Sequence, residues 1–185
     1  MILPVYLIGH PILKKVAEPI TSDYPGLQDI IQNMWDTMYA AHGAGIAAPQ
    51  VGLPIRLFVI DTIQLLDKKQ QNKGFKKVFI NAEIIHENGE PWDYEEGCLS
   101  IPTIRGDVTR PQKLRLRYQD ENFESYEEDF DEVNARVIQH EYDHIEGKLF
   151  VEKLKPLKKR RIQRKLEEIK RGEVECDYRI KAYRP

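Results

Sequence analysis

The stretch QHEYDHIEG carries His140, Glu141 and His144, two histidines four residues apart with a carboxylate directly after the first. On a helix, residues four apart share a face, so both imidazoles can reach one cation while Glu141 stands beside them as a proton carrier. That is the pattern of metal-assisted hydrolysis. A catalytic site takes three protein ligands and keeps one position open, so a third ligand is needed. One extension of the motif would place a histidine six residues beyond His144. That position is Phe150, which binds no metal.

Two other sources remain. Glu167 and Glu168 lie downstream, but in a lysine- and arginine-rich stretch that reads as exposed. Cys98 is the stronger candidate. In EEGCLSIP it follows Gly97 and precedes Pro102, which predicts irregular backbone around the thiol. A lone cysteine is ordinarily a small buried hydrophobe. A thiolate joined to two imidazoles, however, leaves one tetrahedral position for water or substrate. A further segment, GAGIAAPQVG at 43–52, has two glycines that permit close approach of backbone to a ligand. The same glycines could simply end a helix and turn the chain into a strand.

The elements that must position these residues are legible from periodicity. Apolar residues from Leu27 through Met38 recur at helical spacing, predicting a first helix over 25–42 with Asp23 and Pro25 as start signals and Gly43 as the stop. IRLFVID and KKVFINAEII read as core strands, joined by a polar loop at 66–77. KLRLRYQD alternates with period two and should turn near residues 120–122 into an antiparallel neighbour. A second helix is expected over 131–146, capped by Gly147, with Val133, Val137, His140 and His144 as its inward stripe. A basic helix over about 157–171 and a tail at 172–185 follow. The expected fold is one α+β domain over 1–185. Short, mostly antiparallel strands would pack around a central metal-binding helix, with a C-terminal helix beyond.

Composition narrows the class. With 185 residues, 41% hydrophobic and 31% charged, the chain has the make-up of a globular domain able to bury a core without disulfides. A net charge of −2 argues against a general nucleic-acid binder. Two cysteines, Cys98 and Cys176, form no disulfide framework, and Cys176 reads as a free thiol. The apolar opening MILPVYLIGHPIL lacks a basic leader and is broken by Pro4, Gly9 and Pro11, so a cytoplasmic location is expected.

GAGIAAPQ, EGCLS and QHEYDHIEG together resemble the three signature motifs of the peptide deformylases, in that family's order. The resemblance runs from GHPILKKVAEPI through the second helix and includes a C-terminal helix of the bacterial type. The loop at 66–77 and the tail after Gly172 are less typical. The resemblance implies hydrolysis of the N-formyl group from formyl-methionine on new polypeptides, releasing formate. By position, Cys98, His140 and His144 would be the metal ligands and Glu141 the general acid–base. Gln50 and the Leu99 N–H would be oxyanion donors, with Gly45 beside the formyl group. Iron(II) is the favoured metal, with zinc, nickel or cobalt able to occupy the site.

For the substrate, Val133 and Val137 could floor an apolar pocket for methionine, and the family resemblance implies Tyr94, Gly97 and Arg105 around its rim. The segment Gly43, Ala44, Gly45 and Ile46 could pair with an extended peptide by strand addition. Glu96 and Arg105 could bond around the site or serve only the surface. Ser100 lacks a relay and reads as structural. The basic helix reads first as a solvated face and second as a surface for ribosomal RNA. Two other functions compete: a metallopeptidase cleaving internal bonds, and a non-catalytic metal-binding module.

Overall fold

The computed structural model describes residues 1–185. Its main sheet has five strands in the order β2 (Gly45–Ala47), β3 (Leu57–Asp61), β4 (Lys76–Cys98), β5 (Ile101–Gln119) and β6 (Ser125–Asp131), every neighbouring pair antiparallel. Sequential strands are neighbours throughout, so the sheet is a meander. β4 and β5 are long, but register shifts after Ile80, Ile84, Asn88 and Gly97 divide their pairing into short regular stretches. β1 (Val5–Tyr6) pairs in parallel with β7 (Ile180–Lys181), which ties the tail to the start of the chain.

Helix α1 covers Leu27–Ala40 and buries Ile31, Met34 and Met38 against the β3 face. The expected stop at Gly43 is displaced by one residue. His42 takes the left-handed conformation (φ 57°), and the Gly43 N–H bonds the Met38 carbonyl at 2.9 Å, the two-bond helix ending in which any residue tolerating positive φ can serve. Gly43 is needed for another reason: a Cβ there would stand 2.9 Å from Leu99 Cδ1. Helix α2, Glu132–Ile145, ends in the same motif with Gly147 at φ 71°. The Lys148 N–H bonds the Asp143 carbonyl at 2.8 Å.

α2 packs against β2, β3, β5 and β6, and its deepest face is not the predicted stripe. Ala135, Ile138 and Ile145 join Phe58, Phe79 and Leu116 in the core, whereas Val133 and Val137 are only half-buried. The reason is that α2 is covered on two sides: one face meets the sheet and the adjacent face meets a cleft. A third apolar cluster binds β5 to α3 (Pro156–Lys170) through Ile104, Leu154, Ile162 and Leu166. The predicted loop at 66–77 falls mostly in the exposed connection between β3 and β4, with a short helical turn at Gln71–Lys73, but its last residues, Lys76 and Lys77, already pair with β3 as the start of β4. No helix is long and apolar enough to cross a membrane.

Candidate metal centre

Cys98 ends β4 at a two-residue turn, Leu99 and Ser100, after which Ile101 starts β5 opposite it. This hairpin tip meets the cleft face of α2. Cys98 Sγ lies 3.4 Å from His144 Nε2, and one donor atom from each of Cys98, His140 and His144 falls within 4.8 Å of the others. Bond lengths of about 2.3 Å to sulfur and 2.1 Å to nitrogen, at a tetrahedral angle, imply about 3.6 Å between sulfur and nitrogen donors. The Cys98–His144 separation is close to that value, and the cluster is one that could hold a metal ion.

The geometry behind the ligands is set by Glu96, which is 4% exposed. Its Oε1 lies 2.8 Å from His140 Nδ1, and Arg110 donates to both carboxylate oxygens at 2.8 and 2.9 Å. Arg136 donates to Oε2 at 3.2 Å, and Arg110 also reaches Asp143 Oδ2 at 2.8 Å. Two guanidiniums and two carboxylates therefore balance in a buried cluster, which is what makes four such charges tolerable there. Burial pushes the Glu96 carboxyl up, but the hydrogen bonds from His140 and Arg110 outweigh it and hold the pKa at about 2. Because Nδ1 of His140 faces this carboxylate, Nε2 is the nitrogen left for a cation, the familiar carboxylate–histidine support of a metal ligand.

The two imidazoles are driven apart. Burial, with the charges of His140 and Arg110, holds His144 well below its ordinary pKa, which favours the neutral imidazole. Burial also lowers His140, but its hydrogen bonds with Cys98 and Glu96 prevail and raise it. A cation entering this site would displace that proton, as metal binding ordinarily does.

Glu141 is the other buried carboxylate. Desolvation raises its pKa to about 7, against the lowering effect of His140 and with further raising by Glu96 and Asp143. Its Oε2 has no hydrogen-bond partner within the protein, and a Cβ on Gly45 would stand 2.7 Å from its Oε1. A buried carboxylate with a raised pKa thus lies against the β2 backbone. Gln50, in the short helical turn Ala48–Val51, is 1% exposed. Its Oε1 accepts the Ala47 N–H at 2.9 Å, which turns Nε2 toward Ser100 Oγ at 3.1 Å and Cys98 Sγ at 3.6 Å.

These groups open on a cleft of about 540 Å³, a size suited to a short peptide segment or small ligand. Gly43, Ala44, Gly45 and Gln50 line one side. Tyr94, Gly97, Cys98, Leu99 and Arg105 line another, with Val137, His140 and Glu141 on α2. His144 sits behind its companion ligands at 1% exposure. Two expected lining residues are elsewhere. Val133 precedes His140 by seven residues, about 10.5 Å along a helix, and does not reach the cleft. The Ile46 side chain is wholly buried in the α1-side core, although its backbone belongs to the edge strand β2. Arg105 pairs with Glu95 at 2.9 Å on the exposed rim, while Glu96 turns inward, so the two residues grouped in the sequence reading part company.

Sequence reasoning missed Arg110, Arg136 and Asp143. Arg136 precedes His140 by four residues and so shares its face, a usable signal. Arg110 keeps the inward parity of Ile104 and Val108 on β5, also visible in the sequence. Residues 175–178 of the tail, which wall the cleft beside His42, carried no local signal.

A mixed α-and-β fold with a Cys-His-His cluster, a buried carboxylate beside it and an adjoining cleft is the arrangement of a metal-dependent hydrolase. The profile of the polypeptide deformylase family matches residues 2–160. A peptide deformylase of Flavobacterium johnsoniae is 53% identical, covering 98% of this chain and 96% of that relative. One from Christiangramia forsetii is 50% identical over the same shares. The crystal structure of a peptide deformylase from Legionella pneumophila superposes with a TM-score of 0.81 at 38% identity, covering 94% of this chain and 98% of that one. The chain belongs to the polypeptide deformylase family. It is an enzyme that hydrolyses the N-formyl group from nascent peptides, in a family that depends on a metal.

Proposed function

We propose that residues 1–185 act as one deformylase domain on formyl-methionine, with Cys98, His140 and His144 holding the metal and Glu141 carrying the proton. The observation that carries this is the meeting of the three donor atoms within 4.8 Å, beside a buried carboxylate pressed against Gly45. A divalent cation held there would supply Lewis acidity and lower the pKa of a water from 15.7 towards about 7.

Glu141, with an ordinary acidity shifted to about 7, takes a proton from the attacking water and delivers it to the departing amine. Gln50 Nε2, already oriented by the Ala47 N–H, and the Leu99 N–H face the charge that grows on the formyl oxygen. The Leu99 N–H has no acceptor among the chain's turn, loop or side-chain groups, so it is free to donate to substrate. Val137 contributes to the methionine pocket with Tyr94, Gly97 and Arg105 about it. The peptide extends along 43–46, where β2 is the edge of the sheet and has a free side. That mode uses backbone bonds and tolerates varied residues after methionine.

A thiolate with two imidazoles suits iron(II), zinc, nickel and cobalt; iron(II) is the favoured native ion, on the family resemblance. The enzyme works in the cytoplasm on chains leaving the ribosome. The exposed Lys159, Arg160, Arg161 and Arg164 of α3 offer a surface for ribosomal RNA. The deciding experiment is formate release from an N-formyl-methionyl peptide, with protein purified without oxygen and supplied with ferrous ion, beside Glu141→Ala. Metal-dependent release that the variant loses supports the reading. Cleavage of an internal bond without formate overturns it.

A further inference from the structure

The tail beyond α3 lies outside the 2–160 span of the family profile, yet it folds back to the metal centre. Its return is anchored by backbone bonds: the Val5 N–H reaches the Arg179 carbonyl at 2.8 Å, and the Leu7 N–H reaches the Lys181 carbonyl at 2.9 Å. This carries residues 175–178 to the cleft wall, where Asp177 Oδ2 lies 3.3 Å from His42 Nε2. There the Tyr178 hydroxyl donates to the Leu99 carbonyl at 2.8 Å, a contact spanning 79 residues of sequence. Tyr178 and Leu99 both pack on the α1-side core, so the phenol is not a loose surface group.

The turn it grips has few other restraints. Leu99 and Ser100 are the two residues outside β4 and β5. The Ile8 N–H holds the Ser100 carbonyl at 2.9 Å, and Gln50 holds the Ser100 hydroxyl at 3.1 Å. The Leu99 side chain lies near Gly43 and packs on the α1-side core, while its backbone has one hydrogen bond, from Tyr178 to its carbonyl. Its own N–H is the donor left over. That N–H lies in the peptide plane before the Leu99 Cα and the carbonyl in the plane after it, so holding the carbonyl restrains the φ and ψ through which the N–H could turn from an oxygen bound between it and Gln50 Nε2; a donor contributes to the barrier only when it is held in place beforehand.

We propose that Tyr178 is a positioning residue for deformylation: through the Leu99 carbonyl it holds the Leu99 N–H in the orientation that meets the developing oxyanion. The C-terminal tail is thereby a working part of the site. This inference rests on the assignment of the Leu99 N–H as an oxyanion donor.

The test uses the full chain carrying Tyr178→Phe, which keeps the ring and removes only the hydroxyl, with Arg179→Ala as a tail control whose side chain touches only the Ile2 carbonyl. Backbone order at Leu99 and Ser100 is followed by amide-nitrogen NMR relaxation on zinc-loaded protein. Kinetics are measured on an N-formyl-methionyl tripeptide with ferrous enzyme, alongside metal content. The expected result for Tyr178→Phe is a lower order parameter at Leu99 and kcat lowered about tenfold, with KM and metal content unchanged and Arg179→Ala near wild type. If the order parameter and kcat are both unchanged, the inference falls, while the oxyanion assignment stands on its own test at Gln50. A lower order parameter with unchanged kcat would remove the Leu99 N–H from the mechanism, and this proposal with it. Equal losses in both variants would reduce the effect to general loosening of the tail and overturn the positioning role.

Discussion

The Glu141 carboxylate occupies the space that a side chain at position 45 would need: an added Cβ would stand 2.7 Å from its Oε1 and 2.9 Å from its Cδ. Two of the signature segments, far apart in sequence, thus depend on one missing methyl group. Gly45→Ala should displace the carboxylate and lower kcat by about 10²-fold, within the range that a positioned acid–base group supplies. Metal content should remain. Steady-state kinetics beside metal analysis checks this, and a fully active alanine variant would show that the carboxylate need not lie against β2.

Gln50→Ala removes a donor whose direction is fixed by the Ala47 N–H. Loss of one oxyanion donor typically costs about 3–4 kcal/mol of barrier, so kcat should fall by at least about 10²-fold with KM little changed. A variant changed only in KM would assign Gln50 to ground-state binding.

Cys98→Ser replaces a soft thiolate by a weak neutral donor and should weaken metal retention sharply, whereas a peptidase that used Glu167 or Glu168 would keep its metal. Chelation should likewise abolish formate release, and ferrous ion should restore it. In air, the ferrous enzyme should lose activity as Cys98 oxidises, and the zinc-loaded enzyme should lose it more slowly. Mass spectrometry of the Cys98 peptide reads the outcome directly.

The depressed Glu96 pKa has a stability consequence in the metal-free protein. Its folded pKa of about 2 lies below the ordinary 4.5, so the ionised cluster stabilises the fold above about pH 4.5 and that contribution is lost as pH falls toward 2. A shift of that size corresponds to roughly 3 kcal/mol. Chemical denaturation of wild type and Glu96→Gln from pH 7 to 2 should show a gap that narrows below pH 4.5. A gap independent of pH would mean that packing, not charge, makes Glu96 important.

The basic face of α3 makes a salt-dependent prediction. If Lys159, Arg160 and Arg164 contact ribosomal RNA, binding to ribosomes should weaken steeply between 50 and about 200 mM salt. Charge reversal at these positions should abolish binding while leaving formate release on free peptides unchanged. Salt-independent binding would exclude the contact.

Local chemistry was legible in the sequence. His140, Glu141 and His144 announce themselves because helical geometry ties residues four apart to one face. The three helices follow from periodicity, since burial on one side dictates where apolar residues fall, whereas IRLFVID and KKVFINAEII read as strands from their β-branched apolar runs, and Leu57–Asp61 is buried throughout. The sequence also singled out Cys98, through residue chemistry and family resemblance rather than distance. What it could not decide was which faces meet. Val133 and Val137 share a stripe, but only Val137 reaches the cleft, because α2 is shared between a sheet and a cavity whose edge no local pattern marks. The Glu96–Arg110–Arg136–Asp143 cluster and the Tyr178–Leu99 contact join segments up to 79 residues apart. Such contacts exist only once the chain has closed on itself, so the candidate ligands were legible in residue chemistry, while the groups that support them were decided by the tertiary fold.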